Sequence, residues 1–339
     1  MNSHANVLDR LLASDEPSIR WRVRTRVLGV DPAGDSIRDL ESQIRESPRV
    51  RALLSNVDSS GRLSKVSNVY AKWKGAHWVL ASLADLGYPS GDRSLEPLRE
   101  QVLARWLDPV YDNEFTAASA AAAYRKDGVP VLHGRYRWHA SMQGNALYYL
   151  TRLGLADERC DQLAQLLMRW QWPDGGWNCD KNPEADTSSF METLLPMCGL
   201  AVHAGRTGDD ASDRAAGRAA EVFLQRHLFK HRLNGRTIRE DFLRLRYPRY
   251  WCYDILGGLK GMVIADKIAD PRCADALDLL ESKRLPDGGW PAEVALYSTA
   301  PKALSRAEYV GWGGTSKAHM NEWVTAEALE VLKAAGHLG

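Results

Sequence analysis

The sequence predicts an all-α protein, a single domain spanning 1–339 in which five to six helical hairpins form an (α/α)6-type toroid. Three observations carry this expectation. Apolar residues recur at spacings of three and four in nearly every long segment, as in Leu163, Leu166, Leu167 and Trp170, whereas alternating strand-like runs are scarce. The pentapeptide PDGGW occurs twice, within WQWPDGGWN at 170–178 and KRLPDGGWP at 283–291, each time after a similar helical segment, DERCDQLAQLL or DPRCADALDLL. Five further segments share a leucine frame and are apolar on nearly every face.

Taken in order, residues 1–35, with LDRLLAS and IRWRVRTRVLG, are expected to supply the helices that complete the ring. The five leucine-framed segments follow: WVLASLADLG, NALYYLTRLG, TLLPMCGLAV, DILGGLKGMV and EALEVLKAAG, aligned on Leu80, Leu147, Leu195, Leu256 and Leu329. A helix apolar all round must be covered all round, which favours a closed toroid with these as inner helices. An open superhelix of the HEAT or tetratricopeptide kind is the alternative. In each PDGGW turn the proline ends the outer helix, the aspartate caps nearby amides, the glycines permit positive φ, and the tryptophan covers the helix ends.

With 44 Lys and Arg against 43 Asp and Glu, the formal charge of +1 excludes broad electrostatic attraction to nucleic acid or anionic membranes. No segment approaches the ~20 apolar residues of a membrane helix and the first 30 residues hold no signal-peptide core, so integral membrane association is not expected and a cytoplasmic location is. Five scattered cysteines without a CxxC pair read as thiols. The chain holds 12 Trp against 5 Phe.

The starts of the proposed inner helices bring aromatic residues beside titratable ones, as a small-molecule site requires. Asp254, Glu192, Glu322, His77 and His139 are the acid or base candidates. Tyr247, Arg249, Tyr250, Trp251 and Tyr253, from the run YPRYWCYD, are the first candidates for substrate contact, joined by Trp73, Trp138, Trp323 and Asp186. The expected partner is an apolar small molecule in an aromatic-lined central cavity. The basic run from Lys230 to Arg249 reads as a solvated helix and loop, with arginines near the mouth suited to a phosphate or carboxylate.

The segment QWPDGGW, with Gln171, Gly175, Gly176 and Trp177, resembles the QW motif of squalene-hopene and oxidosqualene cyclases and of prenyltransferase β subunits. The second copy departs from it, with Leu285 read in place of the glutamine. HLFKHRLNGRTIREDFLRLRYPRYWCYDILGGL and DGGWNCDKNPEADTSSFMETL also resemble uncharacterised bacterial proteins of the squalene-cyclase-like group. The resemblance implies an (α/α)6 toroid and an enzyme, a cyclase or isomerase working without a cofactor by acid-base cyclisation or isomerisation of an isoprenoid or other apolar molecule. The stretch that corresponds to the cyclases' DxDD motif is Pro183-Glu184-Ala185-Asp186-Thr187, in which Ala185 stands at the proton-donating position. Asp186 read structurally is the N-cap of TSSFMETLL. Two other functions stand beside the cyclase. One is a non-catalytic small-molecule binding or scaffold protein on the same toroid. The other, implied by the prenyltransferases, is a zinc-dependent transferase holding its metal through Cys179, Asp180 and His319, although Asn178-Cys179-Asp180 lacks the family's ligand spacing.

Overall fold

The computed structural model describes residues 5–300 and 305–338. In chain order the helices are α1 (Ala5–Leu12), α2 (Pro17–Arg22, continued by a π turn over Val23–Val27), α3 (Asp35–Arg45), α4 (Pro48–Leu53), α5 (Ala76–Leu86), α6 (Glu96–Trp106), α7 (Ala120–Ala123) and α8 (Ala140–Arg152). They continue with α9 (Glu158–Trp170), α10 (Phe190–Thr207), α11 (Asp210–Leu224), α12 (Ile255–Ile264), α13 (Ala274–Ser282) and α14 (Glu322–Ala334). All five leucine-framed segments are helical and lie in α5, α8, α10, α12 and α14. The expectation of a helical protein holds. Among the described residues no helix is long and apolar enough to cross a membrane.

The apolar helices pack on one another in succession, α5 on α8, α8 on α10, α10 on α12, α12 on α14, and α14 on α2 with its π turn. Arg22 at the end of α2 then bonds Asp85 near the end of α5. The amphipathic helices flank them, α6 against α5, α9 against α8, α11 against α10 and α13 against α12. One continuous hydrophobic core runs from Val7 to Leu332. Strands β1 (Glu114–Thr116), β2 (Val129–Leu132) and β3 (Arg135–Tyr136) form a small sheet, with β1 parallel to β2 and β2 antiparallel to β3. Strands of two to four residues are too short to register as an alternating pattern.

The two PDGGW turns make the same contacts. The indole N–H of Trp177 donates to the Leu167 carbonyl (2.9 Å) and that of Trp290 to the Leu280 carbonyl (2.7 Å), closing the ends of α9 and α13. The backbone N–H groups of the same tryptophans donate to Thr193 Oγ1 in α10 and Thr325 Oγ1 in α14. Gly175 and Gly288 both have positive φ, +102° and +88°, where a side chain would be strained. Asp174 accepts from the backbone and hydroxyl of Ser188, and Asp287 from the backbone of Met320, so each aspartate anchors the approach to the next helix. In structural register Arg284 stands where Gln171 does: Gln171 Nε2 donates to the Gly175 carbonyl and Arg284 Nε to that of Gly288. The turns are staples, as expected. Asp186 is not the N-cap of the following helix; α10 begins at Phe190 behind Ser189, and Asp186 is exposed.

Shortening the staple's buried tryptophan in two steps tests this account. Trp290→Phe is expected to lower the unfolding free energy by about 1–2 kcal/mol, through the Leu280 carbonyl left unpaired. Trp290→Ala, which also empties a large buried volume, is expected to lose about 3–5 kcal/mol in the same urea titration.

Candidate functional site

Helices α8 and α10 approach so closely that a Cβ on Gly144 would sit 2.3 Å from the Pro196 nitrogen, and one on Gly199 would sit 2.4 Å from the Gly144 carbonyl oxygen. This contact brings their N-terminal ends together. Just before α8 a lone β-bridge pairs Arg137 with Asn178, laying the segment that carries His139 beside the one that carries Cys179. Buried Arg137 donates to the Pro183 carbonyl, and Asn178 Nδ2 to that of Thr187, fixing the loop after the first staple.

His139, Cys179 and Glu192 therefore converge, one ligand-type atom from each lying within 4.8 Å of the others. Glu192 Oε1 lies 3.0 Å from His139 Nδ1, and Glu192 Oε2 accepts from the Ser141 backbone N–H at 3.1 Å. Burial alone would raise the pKa of Glu192; its bonds to His139 and Ser141 outweigh burial and hold the carboxyl below its ordinary range. Glu192 Oε1 faces Nδ1 of the imidazole, which leaves Nε2 on the far edge of the ring. The Glu192 side chain is 10% exposed and that of His139 is 52% exposed, so the imidazole reaches solvent from a buried anchor. Burial, then the nearby Glu192, pushes the Cys179 thiol far above its usual range. Tyr70 is raised in the same way, by burial first and then by Glu192, Cys252 and Cys179.

The other expected acids and bases lie elsewhere and have structural partners. Asp254 is the N-cap of α12, wholly buried, accepting from the backbone N–H groups of Gly257 (2.7 Å) and Arg246 (2.9 Å). Burial raises its pKa against the pull of Arg249 and Arg246. Glu322 accepts from Ser14 in the turn between α1 and α2. His77 lies in the core, its Nδ1 3.0 Å from both the Trp106 indole nitrogen and the Tyr149 hydroxyl, and its Nε2 3.3 Å from Asn145. Of the zinc set, Asp180 and His319 are exposed and only Cys179 belongs to the cluster.

The aromatic candidates are mostly structural as well. Tyr253 donates to the Leu228 carbonyl inside a cluster with Phe190, Phe223 and Phe242. Tyr247 stacks on Trp323 and donates to Asp85. Trp73 stacks flat on Tyr250 at 3.5 Å, and Tyr250, held at φ +51°, donates to Glu308. Trp138 and Trp251 remain partly exposed, Trp138 beside His139 and Trp251 under the Lys72 ammonium.

Sequence reasoning missed the interior. Glu327 of α14, wholly buried, lies 2.5 Å from both Lys260 of α12 and Arg249. Lys260 also reaches Asp85 of α5, which pairs with Arg22 of α2. Burial opposes charge on Glu327, but Arg249 and Lys260 hold its pKa far below the ordinary range. The signal was a charge inside an apolar stretch, Asp85 in WVLASLADLG and Lys260 in ILGGLKGMV, whereas Glu327 shares EALEVLKAAG with Glu330 and Lys333 and does not stand out. The cavity beside this cluster, walled by Trp78, Ser82, Asp85, Asn145, Tyr148 and Arg249, holds about 120 Å³. Small-molecule sites run to roughly 300–1,000 Å³, so this space by itself is too small for an isoprenoid chain. Arg249 and Arg246 are committed to buried ion pairs and are not anion-binding groups at a mouth.

A larger surface groove, about 610 Å³, runs along the start of α10. Phe190, Met191, Ile238 and Phe242 line it with Arg226, Arg232 and Arg239, and so do Asn178 and Met191, the chain neighbours of Cys179 and Glu192. No protein-family model matches the chain, and a search of curated proteins finds no match.

Burial pushes the pKa of His77 down from 6.5 to about 3. The unfolded chain therefore binds a proton here that the folded one refuses. Stability from this group is complete above pH 6.5 and falls as pH drops toward about 3, by at most about 1.4 kcal/mol per pH unit. Urea titrations at several pH values should show this slope in the native chain and its reduction in His77→Gln. An unchanged slope would assign the acid sensitivity to other groups.

Proposed function

We propose that the chain is an enzyme on an α/α toroid, with α2, α5, α8, α10, α12 and α14 as the inner ring and its reacting centre at the mouth where α8 and α10 begin. His139 exchanges a proton with the substrate through Nε2, and Glu192 fixes the imidazole and stabilises the imidazolium that forms. The observation that carries this is the contact of a buried carboxylate with Nδ1 of a half-exposed histidine. The reaction class is proton transfer in the isomerisation or cyclisation of a small apolar molecule. The groove beside α10 suits such a substrate when it has an acidic end, since an apolar floor there meets an arginine rim. This assignment moves the chemistry from Asp254 and the lumen to Glu192 and His139. We place the enzyme in the cytoplasm.

Incubation with alkenes, epoxides and prenyl diphosphates, with products read by mass spectrometry, is expected to give a product. His139→Gln and Glu192→Gln should each lower its rate by roughly 10²–10⁴-fold, the usual contribution of a positioned acid or base. No product from any substrate, or full rates in both variants, would remove the proposal.

A further inference from the structure

We infer that His139, Cys179 and Glu192 form a binding site for one thiophilic divalent cation of the zinc class. Three residue types that bind zinc arrive from three separate segments: the end of the sheet insertion, the loop after the first staple, and the first turn of α10. Their ligand atoms lie within 4.8 Å of one another. A tetrahedral zinc with ligands at about 2.0–2.3 Å separates them by roughly 3.3–3.8 Å, so side-chain shifts of about an ångström complete the site. Glu192, the ligand hardest to desolvate, is already buried, and the Ser141 N–H orients the oxygen that does not face His139. The half-exposed His139 leaves one side toward solvent, which gives three protein ligands and an open position.

The donor set selects the metal. One sulfur, one nitrogen and one oxygen suit zinc and its borderline neighbours and exclude magnesium and calcium, which take oxygen. Zinc takes the lone pair of His139 Nδ1, so the neutral ring carries its proton on Nε2, and the proton of the Cys179 thiol passes to solvent as the thiolate binds. A cation held here would supply Lewis acidity at the mouth. The inference shares its centre with the proposed acid-base function but not its chemistry, because metal binding is read without substrate.

The full-length chain, free of any histidine tag, is dialysed against zinc and then against metal-free buffer, and its metal content is measured. A parallel titration with cobalt is followed by the thiolate-to-cobalt charge-transfer band in the near ultraviolet. About one zinc per chain and a charge-transfer band that Cys179→Ser abolishes are expected, with zinc affinity lowered by about a hundredfold or more in His139→Ala and Glu192→Gln. Cys252→Ser, Asp180→Asn and His319→Ala, which alter the second thiol near Tyr70 and the two ligands expected from sequence, should leave affinity within about twofold. Far less than one zinc in the native chain, or a cobalt band that survives Cys179→Ser, would overturn the site, and neither result depends on a variant folding poorly. Turnover by metal-free protein that binds no zinc would sink the metal site and keep the proposed activity. Stoichiometric binding without turnover supports the site and sinks the activity.

Discussion

Glu327 is the constraint around which the rest of the chain is arranged. A carboxylate with no exposure to water is tolerable only when its charge is matched at contact distance, and Lys260 and Arg249 match it at 2.5 Å each. The matching groups come from far apart in the sequence. Arg22 belongs to α2, Asp85 to α5, Arg249 to the loop before α12, Lys260 to α12 and Glu327 to α14, so the cluster ties the start of the chain to its end. Apolar packing alone would allow neighbouring helices to slide by a turn; an ion cluster of this depth fixes their register, since any displaced member leaves an unpaired charge in the core.

Filling the interior in this way moves the available chemistry outward. Beside the ion cluster a small cavity of about 120 Å³ remains, and Tyr250, stacked on Trp73, forms part of its wall. What remains accessible is the end of α8 and α10, where backbone contact at Gly144 and the staple at Trp177 set His139, Cys179 and Glu192 close together. The staple is thus connected to the site: Thr193, which accepts from the Trp177 amide, is the residue after Glu192. A perturbation of the turn therefore reaches the carboxylate through one residue of helix.

The helices and the staples were legible in the sequence because their signals are local. Period, proline, paired glycines and tryptophan each report on a few neighbouring residues, and the leucine frame located α5, α8, α10, α12 and α14. Glu192, His139 and Cys179 were each singled out, but from different arguments, and contacts far apart in sequence join them: the bridge between Arg137 and Asn178 and the approach of α8 to α10 at Gly144. Asp254 caps buried amides and His77 meets the side chains of Trp106, Tyr149 and Asn145, and a titratable residue at a helix start looks the same in sequence whether it does this or faces a substrate. The ion cluster was illegible for the opposite reason. Asp85 and Lys260 are isolated charges in apolar stretches, Glu327 shares its segment with Glu330 and Lys333, and the meaning of all three lies in pairings across the fold.

The most direct test of this account is the unfolding free energy of Glu327→Gln, measured by urea denaturation at neutral pH. Removing one partner leaves Lys260, Arg249 and Arg22 with excess buried charge, and the predicted loss is about 3–5 kcal/mol. A loss below about 1 kcal/mol would contradict it, since α2, α5, α12 and α14 would then be held in place by apolar packing alone.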